Sequence, residues 1–198
     1  MAAYLVSQVF GWNIVPRTWL RDGPMGEGMV QLWQEPGPAQ SAVDLVAADA
    51  VPATGWRRVL DGRDDRERMV TLIHEDSAAL RRMAVFDAVV NNADRKGDHI
   101  LAMPDGHRHG VDHGLTFHVE HKLRTVLWGC LGDAFSTGEL EGIDRVSAQL
   151  AGDLGDTLAG LLKEEEVAAL AVRCARLRSE ARFPAPSGGM SPVPWPLF

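Results

Sequence analysis

The stretch "FDAVVNNADRKGDHILAMPDGHRHGVDHGLTFH", Phe86–His118, places carboxylates, amides, histidines and glycines directly behind an apolar run. Upstream, apolar residues at three-and-four spacing predict a helix from about Asp76 to Asn91, with Asp76 or Ser77 as its cap. This helix would deliver the chain into a polar loop that contains Asp94. The fold is therefore decided by a helix and a following loop rich in side chains that bind metals and transfer protons.

A short hairpin is predicted to follow this loop. The segments "HIL" and "GV" are candidate strands, and Asp105 with Gly106 is a turn signal between them. Such a hairpin would bring the residues after its second strand back beside the loop that precedes its first strand. We therefore expect Asp94, His99 and Asp112 to lie close together.

These residue types suit phosphoryl transfer. A carboxylate such as Asp94 can orient or deprotonate a hydroxyl, a cation such as Arg95 or Lys96 can balance phosphate charge, and further ligands can hold a metal. Asp112 could reach a divalent ion from the other side. Each residue also has a purely structural explanation. Both aspartates could be turn residues, Lys96 could be a solvent-exposed charge, and His99 could be a hydrogen-bonded, partly buried histidine.

The N-terminal part is predicted to contain a helix and a hairpin. Tyr4, Leu5 and Val9 lie at helical spacing within Ala2–Phe10, and Gly11 indicates the end of that helix. The segments "NIVPRTWL" and "GMVQLWQE" are typical of two strands, joined by the turn-rich "RDGPMGEG". "EPGPAQSA" then interrupts regular structure as a candidate hinge. We interpret "VPATGWRRVLDGRDD" as a loop with a short helix.

Beyond Leu123 the pattern is helical again, through "GELEGIDRVSAQLAGDLGDTLAGLL" and "KEEEVAALAVRCARLRSEARF". An apolar stripe that we expect in the core consists of Leu150, Leu154, Leu158, Leu161 and Leu162. The tail "FPAPSGGMSPVPWPLF" is rich in Pro and Gly, so we expect it to lie extended over the surface.

Composition limits the possible functions. A chain of 198 residues with 45% hydrophobic and 24% charged residues is predicted to fold as one unit. Its net charge of -7 argues against binding to nucleic acid or an anionic membrane through overall charge attraction. Cys130 and Cys174 lie far apart, in no metal-like spacing. Because no basic leader or membrane-length apolar segment is visible, we expect a cytoplasmic protein without a membrane anchor.

Two loops carry a family resemblance. "NNADRKGDHIL" followed by "GVDHGLTF" resembles the catalytic and metal-binding loops of the phosphatidylinositol 3-/4-kinase-like and HipA-like branch of the protein-kinase-like fold. "AAYLVSQVFGWNIVP", "GMVQLWQE" and the "PWP" tail are similar to an actinobacterial family of kinase-like proteins. The resemblance implies an α+β fold with a partial small lobe at 1–36, a mostly helical large lobe at 37–182, and a Pro-rich tail at 183–198.

The resemblance also implies a role for each site residue. Asp94 corresponds to the catalytic-loop aspartate that handles the acceptor hydroxyl, and Lys96 to a lysine that contacts the transferred phosphate. Asp112 corresponds to the metal-holding aspartate of the Asp-Phe-Gly motif, with His113 in place of phenylalanine. His99 takes the place of an asparagine that ligates the second metal. Because imidazole favours softer ions than an all-oxygen site does, the choice between Mg²⁺ and Mn²⁺ stays open.

A nucleotide site follows from the same resemblance. The backbone of Leu32, Trp33 and Gln34 would receive the adenine of ATP. Kinase-like folds also use a Gly-rich phosphate hairpin and a strand lysine. Neither is seen before the first helix, and "GPMGEG" follows that helix, in the wrong order. We therefore expect the N-terminal part of the small lobe to be lacking.

The predicted function is ATP-dependent phosphate transfer to a hydroxyl of a protein or small molecule. A nucleotide-binding or inactive pseudokinase that acts as an interaction scaffold is the alternative, since the phosphate hairpin and lysine are not seen. A metal-dependent hydrolase built on His99, Asp112 and neighbouring histidines is a third.

Overall fold

Helix α2, Ala78–Val90, lies at the centre of the fold and leads directly into the polar loop. The computed structural model describes residues 1–37, 41–189 and 191–198. The predicted helix is confirmed, and Ser77 is its N-cap, with its side chain accepting a hydrogen bond from the amide of Leu80. Burial is continuous from Met83 to Val90, because other elements surround the end of this helix.

The N-terminal helix is confirmed, and so is a hairpin after it, but the predicted strand bounds are wrong: "NIVPR" precedes the first strand and "LWQE" follows the second. Helix α1, Ala2–Phe10, ends at Gly11, which has a left-handed backbone with φ of 71°. Strands β1, Thr18–Gly23, and β2, Gly26–Gln31, pair antiparallel. The pairing continues to Gly23 opposite Gly26, so most of the predicted turn belongs to the strands.

A three-stranded antiparallel sheet follows, in the order β3-β5-β4. Its strands are β3, Val43–Ala47, β4, Trp56–Arg63, and β5, Met69–Glu75. The interpretation of "VPATGWRRVLDGRDD" as a loop with a short helix is wrong, since β4 occupies its centre. A register shift between Arg58 and Leu60 interrupts the period-two alternation of β4. The sequence pattern therefore does not indicate a strand here. The predicted hinge "EPGPAQSA" falls partly on residues 38–40, which lie outside the described residues.

The predicted second hairpin is confirmed. Strands β6, Ile100–Ala102, and β7, Arg108–Gly110, pair antiparallel. Gly106 in the connecting turn has a φ of 87°, which explains why a glycine occupies that position. The hairpin is short, so its two ends, and the loops that they carry, lie side by side.

Three helices form the C-terminal part. After a single 3₁₀ turn at Trp128–Cys130 come α3, Thr137–Leu150, α4, Asp153–Ala159, and α5, Glu164–Glu180. Of the predicted leucine stripe, Leu154 and Leu158 are buried, while Leu161 lies beyond α4 and is exposed. The tail, within 183–189 and 191–198, contains neither helix nor strand, as predicted.

An ion-pair network joins the three-stranded sheet to the helices. Arg57 on β4 and Arg81 on α2 both bind Oδ2 of Asp133, at 2.6 and 3.0 Å. Arg81 also pairs with Glu139, which closes the capping box of α3 with Ser136. The fold class is therefore α+β, with the sheet anchored on the helices through arginines.

Among the described helices, none is long and apolar enough to cross a membrane.

A pair of glycines on α3 tests how closely it packs on the N-terminal helix. A Cβ at Gly142 would come within 2.5 Å of Trp12 and 2.9 Å of Phe10, whereas one at Gly138 would meet nothing within 4 Å. We expect Gly142→Ala to lower the free energy of unfolding by about 1–3 kcal/mol through overpacking. Gly138→Ala should leave it unchanged or raise it by up to about 1 kcal/mol. Urea unfolding of both variants checks this; equal values would refute the close packing.

Candidate functional site

A buried ion pair fixes the start of the polar loop. Asp87 on α2 and Arg95 in the loop are both fully shielded from solvent. Nε of Arg95 donates to Oδ2 of Asp87 and Nη2 donates to Oδ1, each at 2.9 Å. This two-point contact is the strongest geometry available to a carboxylate and a guanidinium. The loop is therefore tied to the helix by a charge-assisted, orientation-specific contact.

The same guanidinium also holds the second hairpin. Nη1 of Arg95 donates to the carbonyl oxygens of His99, at 3.1 Å, and Val111, at 3.0 Å. Nη2 donates additionally to Nε2 of His113 at 2.8 Å. All five N–H groups of the side chain are thus used. Gly110 makes this approach possible, since a Cβ there would lie 2.9 Å from Nη2.

The position of Arg95 changes its expected role. The sequence suggested that Arg95 or Lys96 could balance phosphate charge, but Arg95 faces the interior and is saturated by protein acceptors. Lys96 is the one of the two that reaches the surface. Its Nζ lies 3.6 Å from Oδ2 of Asp94, and both side chains are partly accessible to solvent.

Asp94 is held through its backbone. Its amide donates to Oδ1 of Asn92 at 3.0 Å, and Nδ2 of Asn92 in turn donates to Asp87 at 3.0 Å. The carbonyl oxygen of Asp94 accepts a hydrogen bond from Nδ1 of His99 at 2.9 Å. The carboxylate itself is left to face Lys96 and solvent.

His99 and Asp112 meet across the base of the hairpin. Because Nδ1 of His99 donates to the Asp94 carbonyl, Nε2 is the ring nitrogen that faces Asp112. Nε2 lies 3.6 Å from Oδ2 of Asp112. A histidine that donates its other N–H to a backbone carbonyl is the usual arrangement of a metal ligand. Within the described residues no group of three or more potential ligands is found, so these two form a pair rather than a complete protein cage.

The backbone at Asp112 is unusual. This residue has a φ of 51°, in the left-handed region that a residue other than glycine rarely adopts. The conformation follows directly after the Val111 carbonyl that Arg95 binds. The side chain of Asp112 is 65% exposed, so its carboxylate is available to a ligand. A strained conformation at an accessible acidic residue is a feature of functional loops.

The ring of His113 is half-buried between Arg95 and α2. Burial, followed by the nearby Arg95 guanidinium and His99, holds the pKa of His113 well below its usual range. Its ring accepts from Arg95 and packs edge-on against Phe86 of α2, with centroids 5.5 Å apart. His113 therefore takes part in packing and does not join the His99–Asp112 pair.

A cavity of about 450 Å³ opens beside Asp112. Its walls come from α1, the β1–β2 hairpin, the segment that follows Asp112 and the turn after α4. Polar side chains in the lining come from Tyr4, Thr18, Gln31, Asp112, His113 and Thr116, and the rest of the lining is apolar. A cavity of this size with both apolar walls and polar groups is typical of small-molecule sites. It extends from Asp112 to Gln31, the residue before Leu32.

The predicted adenine-binding segment lies at the edge of this region. The amide of Leu32 already donates to the carbonyl of Arg17 at 2.8 Å, and Nε2 of Gln34 donates to the carbonyl of Leu32. The indole of Trp33 is 82% exposed and donates to Glu35. The backbones of Trp33 and Gln34 are consequently the parts of the segment that remain for a ligand.

The other histidines near the hairpin do not join the His99–Asp112 pair. Nε2 of His107 bonds with the carbonyl of Asn13, and Nδ1 of His109 with that of Ile14. Both rings therefore attach the second hairpin to the segment after α1, which is a structural role.

Sequence reasoning missed the Asp87–Arg95 pair. Asp87 stood at a helical-stripe position among apolar residues, and Arg95 stood in a loop between polar neighbours. An acidic residue on the buried face of a helix needs a partner. That requirement was the available signal, and the nearest cation downstream, Arg95, is the partner in the structure.

The chain was compared with known proteins. It is 46% identical over 206 residues to "Protein Rv2133c" of Mycobacterium tuberculosis (strain ATCC 25618 / H37Rv), an alignment that covers 100% of this chain and 74% of the relative. The chain belongs to the Rv2133c family. No family model matches the chain, and no solved structure matches it. The name of the relative states no activity, so the comparison shows the family alone.

The first prediction from the site concerns the buried pair. Arg95→Met should lower the free energy of unfolding by about 3–5 kcal/mol, because it leaves Asp87 charged and unpaired in the interior. Asp87→Leu combined with Arg95→Met should recover part of this loss. Arg178→Met is the control: it removes an ion pair with Asp144 whose two side chains are each 50% exposed, and should cost less than about 1 kcal/mol. Chemical denaturation of all four proteins measures these values.

The second prediction concerns pH. Burial lowers the pKa of His74 as it does that of His113. Below the ordinary pKa the unfolded state binds protons that the folded state does not, so stability is full above that pKa and falls as the pH drops. Burial also lowers the pKa of His109. Lowering the pH from about 7.5 to about 5.5 should therefore destabilise the folded chain, by at most about 1.4 kcal/mol for each of these histidines.

Denaturation at both pH values checks this expectation. His113→Gln keeps an acceptor for Arg95 without a titrating ring, so the variant should lose less stability between the two pH values than the native chain does. Equal stability at the two pH values, or a higher stability at the lower one, would show that the histidines are not buried as described.

Proposed function

We propose that the chain is an ATP-dependent phosphotransferase of the protein-kinase-like class, acting on a hydroxyl of a protein or small molecule. The observation that carries the proposal is the pair formed by Nε2 of His99 and Oδ2 of Asp112, 3.6 Å apart. An imidazole nitrogen and a carboxylate oxygen at this distance can act together as ligands of one cation. The order Asp94, His99, hairpin, Asp112 is the order of the kinase-like loops.

The residues fit a divalent cation that is shared with a nucleotide. Mg²⁺ is usually held by one or two protein carboxylates plus substrate phosphates, so a two-residue set is sufficient. The imidazole of His99 extends the fit to Mn²⁺ and other borderline ions. When bound, such an ion would neutralise charge on the β- and γ-phosphates. His99 and Asp112 would hold it.

Asp94 and Lys96 are the groups proposed to act on the reacting atoms. The carboxylate of Asp94 would accept a hydrogen bond from the acceptor hydroxyl and then its proton. Lys96, with Nζ 3.6 Å from that carboxylate, would sit beside the transferred phosphoryl group and balance its charge. The backbone contacts to Asn92 and His99 support this role, because they fix the loop without using the carboxylate.

The nucleotide is proposed to lie along the cavity between Gln31 and Asp112. Its adenine would approach the backbones of Trp33 and Gln34, and its phosphates would point to Asp112. The cavity volume of about 450 Å³ and its mostly apolar walls support a nucleoside-sized ligand.

A specific observation also favours a second function, that of a nucleotide-binding or inactive pseudokinase that acts as a scaffold. The β1–β2 hairpin and the segment after it expose several large apolar side chains, which are Trp19, Leu20, Met25, Met29, Leu32 and Trp33. Trp19 and Leu32 line one surface pocket with Arg17, and exposed apolar side chains that lie together are typical of protein interaction surfaces. Activity measurements separate the two functions, since only the first requires phosphate transfer.

Thermal unfolding with ATP and Mg²⁺ or Mn²⁺, added separately and together, tests the proposal. At a ligand concentration of about 100 times Kd, binding should stabilise the protein by about 2.7 kcal/mol. For a chain of this size that corresponds to roughly 5–10 °C in Tm. Asp112→Ala should abolish the metal-dependent part of the shift. Asp98→Ala, at an exposed aspartate of the same loop, is the matched control and should keep it.

Turnover is measured as ATP hydrolysis or as phosphate transfer to added hydroxyl acceptors. Asp94→Ala should lower kcat by about 10²–10⁴-fold, as expected for loss of a general base. Nucleotide binding without turnover in the native chain would favour the scaffold. No thermal shift with any combination of ATP and metal would refute the phosphotransferase and a nucleotide-binding scaffold, and would leave only a scaffold that binds no nucleotide.

A further inference from the structure

The tail crosses the outer side of the candidate site. Residues Ser191–Phe198, here called the tail strap, contain neither helix nor strand, yet they are tied down by several hydrogen bonds. The carbonyl of Pro192 accepts from the indole Nε1 of Trp128 at 2.7 Å and from the amide of Thr125 at 3.1 Å. Arg124 donates to the carbonyls of Ser191, at 3.2 Å, and Val193, at 3.1 Å.

The segment under the strap is paired with the candidate catalytic loop. The amide of Arg95 donates to the carbonyl of Arg124, and the amide of Val126 donates to the carbonyl of Arg95, both at 3.1 Å. Arg124 donates from its own amide to the carbonyl of Asn92 at 3.0 Å. Residues 124–126 are therefore a middle layer, with the loop on one side and the strap on the other.

The end of the strap reaches the loop directly. The amide of Gly97 donates to the carbonyl of Leu197 at 2.8 Å. The ring of Phe198 lies where a side chain at position 97 would be, so that a Cβ on Gly97 would collide with it. Gly97 is buried under this contact, immediately after Lys96. Leu197 packs against the core and anchors the strap at this point.

The loop is thus held from two sides. Arg95 fixes it from within, through Asp87, and the strap fixes it from outside, through Gly97. Lys96 stands between these two fixed residues, and Asp94 directly precedes them. If the strap moved away from the loop, the backbone of Gly97 would lose its hydrogen bond. The neighbouring Lys96 side chain would then no longer be held in one orientation.

We propose that the tail strap positions the loop that carries Asp94 and Lys96, with Leu197 and Phe198 as positioning residues that act through Gly97. The kinetic half of this inference rests on the proposed phosphotransferase function. The conformational half does not, because it concerns only the order of the loop.

Two variants of the full chain release the contact from opposite sides. Phe198→Ala removes the ring, and Gly97→Ala adds a methyl group that displaces it. Trp195→Ala is the matched control, since this tryptophan belongs to the same strap but is 82% exposed. Hydrogen exchange measured by mass spectrometry should show exchange at residues 94–99 faster by about 10-fold in both test variants, the effect of weakening one hydrogen bond. The control should match the native chain.

Kinetic measurements then show whether the strap positions the loop or only covers it. With Mn²⁺ and ATP, both test variants should hydrolyse ATP with kcat lower by about 10-fold, because a catalytic group moved by less than 1 Å loses much of its effect. KM for ATP should stay the same, since the strap does not line the nucleotide cavity. Trp195→Ala should retain native kcat and KM.

Unchanged exchange at residues 94–99 in both Phe198→Ala and Gly97→Ala would overturn the inference. So would faster exchange with unchanged kcat in an active protein, because the strap would then cover the loop without positioning it. A native chain that hydrolyses no ATP would count against the proposed function instead, and the exchange measurement alone would then decide whether the strap orders the loop.

Discussion

The ion pair between Asp87 and Arg95 lies wholly out of solvent, and the arrangement of the candidate site depends on it. Two charges in the interior carry a large desolvation cost, which only complete hydrogen bonding offsets. Here the guanidinium meets that condition with both carboxylate oxygens, two backbone carbonyls and one imidazole. One side chain therefore sets the relative positions of helix α2, the polar loop and the second hairpin.

The geometry of the His99–Asp112 pair follows from this arrangement. Arg95 binds the carbonyl of His99 and that of Val111, the residue before Asp112, so the distance between the two candidate ligands is fixed from the backbone side. The side chains of His99 and Asp112 take no part in fixing this distance. A site of this kind can be rigid in its frame and still open toward a ligand, which suits the binding of an ion shared with a substrate.

The sequence predicted the parts of the fold that have local causes. The helix before the loop, the Asp105–Gly106 turn and the approach of His99 to Asp112 follow from caps, turn residues and hairpin closure. Strand β4 could not be seen because its register shift disrupts the alternation on which strand prediction relies. The burial of Arg95 could not be seen because it depends on a partner in another element, and a loop arginine ordinarily faces solvent.

The β1–β2 hairpin has a consequence for how the protein behaves in concentrated solution. Within the described residues, these strands pair only with each other, so each has an outer edge with backbone donors and acceptors turned to solvent. Such edges are templates for strand addition between molecules. Charged residues at the hairpin tip, Arg21, Asp22 and Glu27, are of the kind that limits such pairing. Self-association by strand addition would therefore begin at this hairpin.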